Sequence, residues 1–174
     1  DGGLLALGCN VFNLAFFPCF LAYPLIYRPI AGRNPSNLKI LVGSVVSVVA
    51  ALQLGAFSVV LETLASGLTD LPFKTFLLLM QPIHLAIGLV EGVITAAVVS
   101  YGWKARPAVI GAVQGDAPSG VVHLKKVIVF FVAAAVITGG ILSWFASNFP
   151  DGLEWAIEKT SGREELEAPE GGIH

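Results

Sequence analysis

The chain has 174 residues, of which 55% are apolar and 13% are charged, and its mean hydropathy is +0.79. This composition excludes an ordinary soluble domain, and a net charge of only −2 without a basic face argues against a nucleic-acid-binding surface. The apolar residues fall in blocks near or above the roughly 20 residues that cross a hydrocarbon core. We therefore predict an all-α fold, a polytopic transmembrane helix bundle with about four spans in this fragment and more in the full protein.

The first predicted helix covers about Cys9 to Tyr27. Asn10 and Asn13 lie near its start, where asparagine can cap free backbone donors. Pro18 and Pro24 predict a bend, which a membrane helix tolerates when its neighbours satisfy the freed carbonyl groups.

The second predicted helix runs from about Leu38 to Leu64 and offers small residues for close helix contact. Gln53 lies mid-span, and Glu62 lies near the far end. The small residues of this face are Gly43, Ser44, Ser47, Ala50, Ala51 and Gly55.

The third predicted helix covers about Phe73 to Trp103, and Pro82 near its start predicts a kink or the junction of two half-helices. A polar stripe follows it within an arc of roughly 80°. A carboxylate at membrane depth is costly, so Glu91 marks a functional-site hypothesis. Either the polar side chains hydrogen-bond neighbouring helices and fix the packing, or they contact whatever is moved. The stripe contains Gln81, His84, Gly88, Glu91 and Thr95.

Residues 107–126 are predicted to form a polar linker, and the fourth span follows from about Val127 to Ala146. Beyond it, Asp151 and Glu154 in the motif PDGLE have the spacing of a capping box. We expect a short amphipathic helix there, lying on the membrane surface. The acidic tail at 161–174 is predicted to be disordered.

Basic residues predict the orientation in the membrane. They cluster after the first helix and between the third and fourth helices, whereas the turn between the second and third helices carries only Lys74. By the positive-inside tendency, the two basic connections are cytoplasmic and the PDGLE end lies outside a multi-pass cell (plasma) membrane protein. The clustered bases are Arg28, Arg33, Lys39, Lys104, Arg106, Lys125 and Lys126.

The chain lacks the catalytic motifs HExxH, GxSxG, GxxxxGK and CxxC. His84, His123 and His174 are too scattered in the predicted topology to meet in one metal site. A membrane-embedded protease or ATPase is therefore unsupported, and we assign no catalytic residue and no intrinsic cofactor. If transport here uses ATP, another chain must hydrolyse it.

Two stretches carry a family resemblance. LLALGCNVFN (4–13) and QPIHLAIGLVEGVITAAVV (81–99) resemble the substrate-capture membrane subunit of energy-coupling-factor cobalt and nickel transporters (CbiM/NikM). FASNFPDGLEWAIEK (145–159) resembles the PDGLE-bearing accessory subunit of the same systems. The resemblance divides the chain into a capture part with three spans at 1–106, the linker, and an accessory segment at 127–160 with one span and the amphipathic helix.

The resemblance implies capture of Ni²⁺ or Co²⁺ as the transported ligand. It also implies partners: membrane lipid, a transmembrane coupling subunit, a cytoplasmic ATPase pair and the N-terminal part of the same protein. The family's metal ligands, a Met-His start and a further histidine, are expected upstream of Asp1, so no metal ligand is assigned in this fragment. The remaining candidates for supporting the metal site or docking other helices are Asn10, Asn13, Gln81, His84 and Glu91.

Two other functions stay open. The chain is alternatively an assembly element that docks the coupling subunit, with a purely structural polar stripe. A third interpretation is an ion-coupled secondary transporter in which Glu91 and Glu62 carry protons. Nickel and cobalt are not distinguished by these residues.

Overall fold

The computed structural model describes residues 6–32, 34–67, 71–105, 124–145 and 149–162. Most of these residues are helical, and no strand occurs among them. The all-α prediction is therefore confirmed for the part of the chain that the structure describes. Most of the predicted linker (107–123) and of the predicted acidic tail (163–174) lies outside these ranges, as do the first five residues.

Helix α1 spans Leu7–Ala31. Between an α-helical start and end, it takes π-helical hydrogen bonding over Phe12–Tyr27, and Pro18 and Pro24 lie within that stretch. Because proline has no N–H, it cannot continue the regular hydrogen-bond ladder. The two prolines are accommodated in these wider turns, and the helix continues past them.

Helices α2 and α3 span Asn37–Ser66 and Phe73–Ala105, each within a few residues of its predicted limits. The Ser36 side chain caps α2 by accepting a hydrogen bond from the backbone N–H of Lys39 at 3.3 Å. Gly67 ends α2 with φ +63°, a left-handed conformation that glycine adopts without a Cβ clash.

Glycines on α3 bring its backbone against that of α2. A Cβ on Gly88 would lie 3.1 Å from the Cα of Val49, and one on Gly92 would lie 2.7 Å from the Cα of Val45. Such close contact is typical of helices packed in membranes. Helix α3 passes Pro82 without ending, which excludes the predicted alternative of two half-helices.

Helix α1 packs against the small-residue face of α2. A Cβ on Gly55 would lie 2.6 Å from the backbone oxygen of Asn13, and one on Gly43 would lie 3.3 Å from the ring of Tyr27. The face also buries Ser44, whose hydroxyl finds no hydrogen-bond partner. The predicted role of this face in helix contact is confirmed.

Helix α4 covers Leu124–Gly140, and a 3₁₀ turn follows at Leu142–Phe145. The prediction that this helix continues to Ala146 is wrong. Its last two residues are both glycines, which lose more backbone entropy in a helix than any other residue. The regular helix therefore stops at the glycine pair.

Helix α5 covers Gly152–Ser161 and begins with the predicted capping box. The Asp151 carboxylate accepts hydrogen bonds from the backbone N–H groups of Leu153 at 2.8 Å and Glu154 at 2.9 Å. In return, the Glu154 carboxylate accepts one from the Asp151 N–H at 3.1 Å. This reciprocal pairing satisfies donors that the first turn leaves free.

The apolar side of α5 packs on protein, and the placement of this helix on the membrane surface stays a prediction. Ala156 is 0% exposed, and Leu153 and Ile157 are partly buried beside it. The side chains of α2 and α3 that receive them form one apolar cluster: Ala56, Val60, Phe76 and Met80. Burial in this cluster replaces the contact with lipid that the helix's apolar side otherwise requires.

Within the described ranges, α1, α2 and α3 are long and apolar enough to cross a membrane. Their outward faces are apolar too, with Phe20 68% and Leu78 70% exposed. Helix α4 has 17 residues, about 26 Å of helix. The structure thus supplies three of the roughly four predicted spans, and this is a membrane protein.

We expect Gly92→Ala to separate α2 from α3, because the new methyl group meets the Val45 backbone at 2.7 Å. Overpacking of this kind lowers the free energy of unfolding by about 1–3 kcal/mol, measurable as a lower midpoint of thermal unfolding in detergent micelles. The matched control is Gly8→Ala, whose methyl group meets nothing within 4 Å. Equal stability of the two variants would contradict the close contact.

Candidate functional site

A cavity of about 350 Å³ lies between α1, α2, α3 and the start of α5. Its walls are mainly apolar, with Leu52, Val59 and Ile87 among them. Five polar side chains also reach it, and they come from three separate parts of the sequence: Asn10, Asn13, His84, Glu91 and Asp151. The cavity thus brings together four of the five residues that the sequence singled out.

His84 lines the cavity, and one of its two ring nitrogens has a backbone partner. Its Nδ1 lies 2.8 Å from the carbonyl oxygen of Met80. A carbonyl oxygen only accepts hydrogen bonds, so Nδ1 carries the hydrogen and, in the neutral ring, Nε2 is the acceptor. The ring also contacts α5, because a Cβ on Gly152 would lie 3.3 Å from its Cε1 and 3.7 Å from its Nε2.

Asn13 ties α1 to α2. Its side-chain N–H donates to Glu62 at 2.9 Å, and the same carboxylate lies 3.4 Å from the Ser58 hydroxyl. Asn13 is 5% exposed, and its side-chain oxygen has no hydrogen-bond partner. A buried amide oxygen without a hydrogen-bond donor lowers the stability of the fold. The side-chain oxygen of Asn13 is therefore an unpaired acceptor at the cavity wall.

Gln81 lies apart from the cavity and pairs with Gln53 of α2. The Gln53 side chain donates to the Gln81 carbonyl at 2.9 Å, and the Gln81 side chain donates to the Gln53 carbonyl at 3.3 Å. This reciprocal pair fixes the register of α2 against α3. For Gln81, the structure therefore agrees with the first alternative given for the polar stripe, hydrogen bonding to a neighbouring helix.

Glu91 and Asp151 bring carboxylates to the cavity from α3 and α5. Glu91 is exposed on α3, one helical turn beyond the buried Gly88. Asp151 was predicted only as a helix cap. Its place in the cavity lining depends on how α5 packs, which no local pattern encodes. The Asn13–Glu62 bond was missed for the same reason.

The polar residues of the cavity do not form a ready metal centre. In the described ranges, no group of three or more His, Cys, Asp or Glu side chains lies close enough to hold a metal ion. The arrangement offers separate nitrogen and oxygen donors in a mainly apolar hollow.

The sequence matches the models of two protein families. Residues 1–109 match the model of the CbiM family, described as a cobalt uptake substrate-specific transmembrane region. The chain belongs to the CbiM family. Residues 125–174 match the PDGLE domain, so the resemblance predicted from the two sequence stretches is confirmed.

Two relatives align with this CbiM-family chain. A fused nickel transport protein, NikMN, of Archaeoglobus fulgidus is 40% identical over 110 residues, covering 63% of this chain and 35% of the relative. A metal transport protein of Haloquadratum walsbyi is 33% identical over 107 residues, covering 62% of this chain and 46% of the relative. The chain therefore spans less than half the length of either relative. No solved structure matches it.

We expect Asn13→Ala and Glu62→Ala to be coupled, because each removes the partner of the other. A double-mutant cycle on thermal unfolding should show a coupling free energy of about 1 kcal/mol, the usual net value of such a hydrogen bond. The control cycle pairs Asn13→Ala with Glu158→Ala on α5, for which additivity is expected. Strict additivity of the first pair would show that the bond contributes nothing to stability.

Proposed function

We propose that this chain is part of the membrane subunit that captures Ni²⁺ or Co²⁺ for uptake into the cell. The observation that carries the proposal is the joint match of the chain to CbiM and then PDGLE, together with a fused nickel transport protein among its relatives. The cavity supports it, since segments from both matched regions meet there.

In this proposal the cavity admits the cation, and the tight site is completed elsewhere in the protein. Imidazole nitrogen and carboxylate oxygen are acceptable ligands for Ni²⁺ and Co²⁺, and His84 and Glu91 offer one of each. The strongest ligands are those the resemblance puts upstream of Asp1. Glu91 is exposed on a mainly apolar helix, so the N-terminal part of the same polypeptide is a suitable cover for it.

Energy for uptake would come from other chains. The sequence has no GxxxxGK phosphate loop, and the energy-coupling-factor resemblance supplies a transmembrane coupling subunit and a cytoplasmic ATPase pair. The distribution of Lys and Arg supports a cell-membrane location with the PDGLE end outside. The division into a capture part at 1–106, a linker at 107–126 and an accessory segment at 127–160 is part of this proposal.

A second candidate function is docking of the coupling subunit by these helices. The Gln53–Gln81 pair agrees with the purely structural stripe of that alternative, because both side chains bond within the α2–α3 pair. The two functions are compatible in one subunit. The secondary-transporter alternative has less support, since Glu62 is engaged with Asn13 and Ser58; uptake that requires a partner ATPase would exclude it.

We expect the full-length polypeptide, with its native N-terminus, to bind Ni²⁺ or Co²⁺ with a dissociation constant of about 1 μM or lower. Equilibrium dialysis of the protein in lipid nanodiscs, with Mg²⁺ as the competing control ion, measures this. Equally weak binding of all three ions would defeat the capture function.

We expect Glu91→Gln to slow metal uptake by roughly tenfold, because a carboxylate in a low-dielectric hollow concentrates cations locally. Uptake of radioactive nickel by cells expressing the complete transporter measures the effect, and Glu158→Gln on α5 is the matched control. Co-purification of the coupling subunit is followed in parallel. Slower uptake together with loss of co-purification would favour the docking function, whereas slower uptake with unchanged co-purification would favour a role of Glu91 toward the metal ion.

A further inference from the structure

Helix α5 forms one wall of the cavity through its first turn. Asp151, Gly152 and Leu153 line the same space as His84 and Glu91 of α3. The PDGLE segment is thus in direct contact with the hollow of the CbiM part, although the predicted linker and all of α4 separate the two in sequence.

The fit of α5 depends on two small residues. A Cβ on Gly152 would contact the His84 ring and the end of the Ile87 side chain, each at 3.3 Å. One turn later, Ala156 is 0% exposed against the apolar cluster. Larger side chains at either position would move the helix away from the cavity mouth.

Both ends of helix α5 are capped by its own residues. Its start is held by the Asp151–Glu154 capping box, and the Thr160 hydroxyl donates to the Ala156 carbonyl at 2.7 Å. Its end is closed by Gly162 at φ +72°, whose N–H donates to the Glu158 carbonyl at 2.7 Å. These bonds all lie within α5 and its caps, so moving the helix away breaks none of them.

The attachment of α5 to the bundle is mainly apolar and local. Leu153, Trp155 and Ile157 pack around Ala156 on the cluster of α2 and α3.

We propose that α5 is a movable cap on the cavity, seated by Gly152 on the His84 ring. When seated, it closes one side of the cavity and holds the Asp151 carboxylate there; when released, it opens that side to water and carries the carboxylate with it as an intact helix. The movement of the cap is inferred from the packing of α5 and does not depend on the proposed function. Its use as a gate for the metal cation rests on the proposed function.

The first test measures access to His84 in the full-length polypeptide in nanodiscs. Gly152→Leu should unseat α5 and raise the rate at which diethyl pyrocarbonate modifies His84, followed by mass spectrometry of the His84 peptide. The control is Gly8→Leu, at a position with nothing within 4 Å. A cooperative thermal transition confirms that each variant is folded. Equal rates of His84 modification in the two variants would overturn the cap.

The second test locks the helix and does not depend on Gly152→Leu folding. Gly152→Cys and Ile87→Cys are joined by a short bis-methanethiosulfonate linker, in a background where the exposed Cys9 and Cys19 are replaced by alanine. Linking should slow His84 modification, and dithiothreitol should restore it. Single-cysteine variants treated with the linker are the controls. An unchanged rate after linking overturns the cap.

Nickel uptake by the linked protein then tests the gate. Uptake should fall on linking and recover with dithiothreitol, and undiminished uptake by fully linked protein would overturn the gate. If the unlinked protein takes up no metal while His84 modification still responds to linking, the cap is supported and the proposed function fails. The chemical modification therefore separates the two conclusions.

Discussion

Direct backbone contact between α2 and α3 is the constraint on which the rest of the structure depends. In a membrane, lipid chains are as apolar as leucine, so helices gain little from burying ordinary apolar side chains against each other. Gly88 and Gly92 allow the backbone of α3 to approach Val49 and Val45 of α2. The resulting hairpin provides both the surface on which α1 packs and the apolar cluster that receives α5.

Polar contacts add specificity to this close packing. Reciprocal side-chain to backbone bonds between Gln53 and Gln81 allow one alignment of α2 with α3, and the Asn13–Glu62 bond places α1 on the same hairpin. Once these contacts set the rotation of α3, His84 and Glu91 face the cavity. The polar stripe is therefore divided, with Gln81 serving the packing and two later residues lining the hollow.

The long helices were predictable because each is a sustained apolar run bounded by turn residues, and the limits of α2 and α3 agree with the structure. The end of α4 was not, since a membrane helix often tolerates glycine and only the local backbone shows where it stops. The capping box of α5 is local and was predicted from Asp151 and Glu154. Its position over His84 was missed, because it depends on the fit of Gly152 and Ala156 against distant helices, which no periodicity records.

Because α5 is capped at both ends by its own residues, the PDGLE segment need not be fused to the CbiM part. A helix that carries its own caps and binds through an apolar face can reach the same position on α2 and α3 from a separate polypeptide. Fusion to the CbiM part supplies effective concentration, in the millimolar range for a short flexible connection, without requiring any new contact. The PDGLE segment can thus be supplied either fused to the CbiM part or as a separate chain. In the fused form each CbiM part has one α5 at hand, whereas in the separate form the fraction of CbiM parts with a bound α5 depends on how much of the separate chain is present.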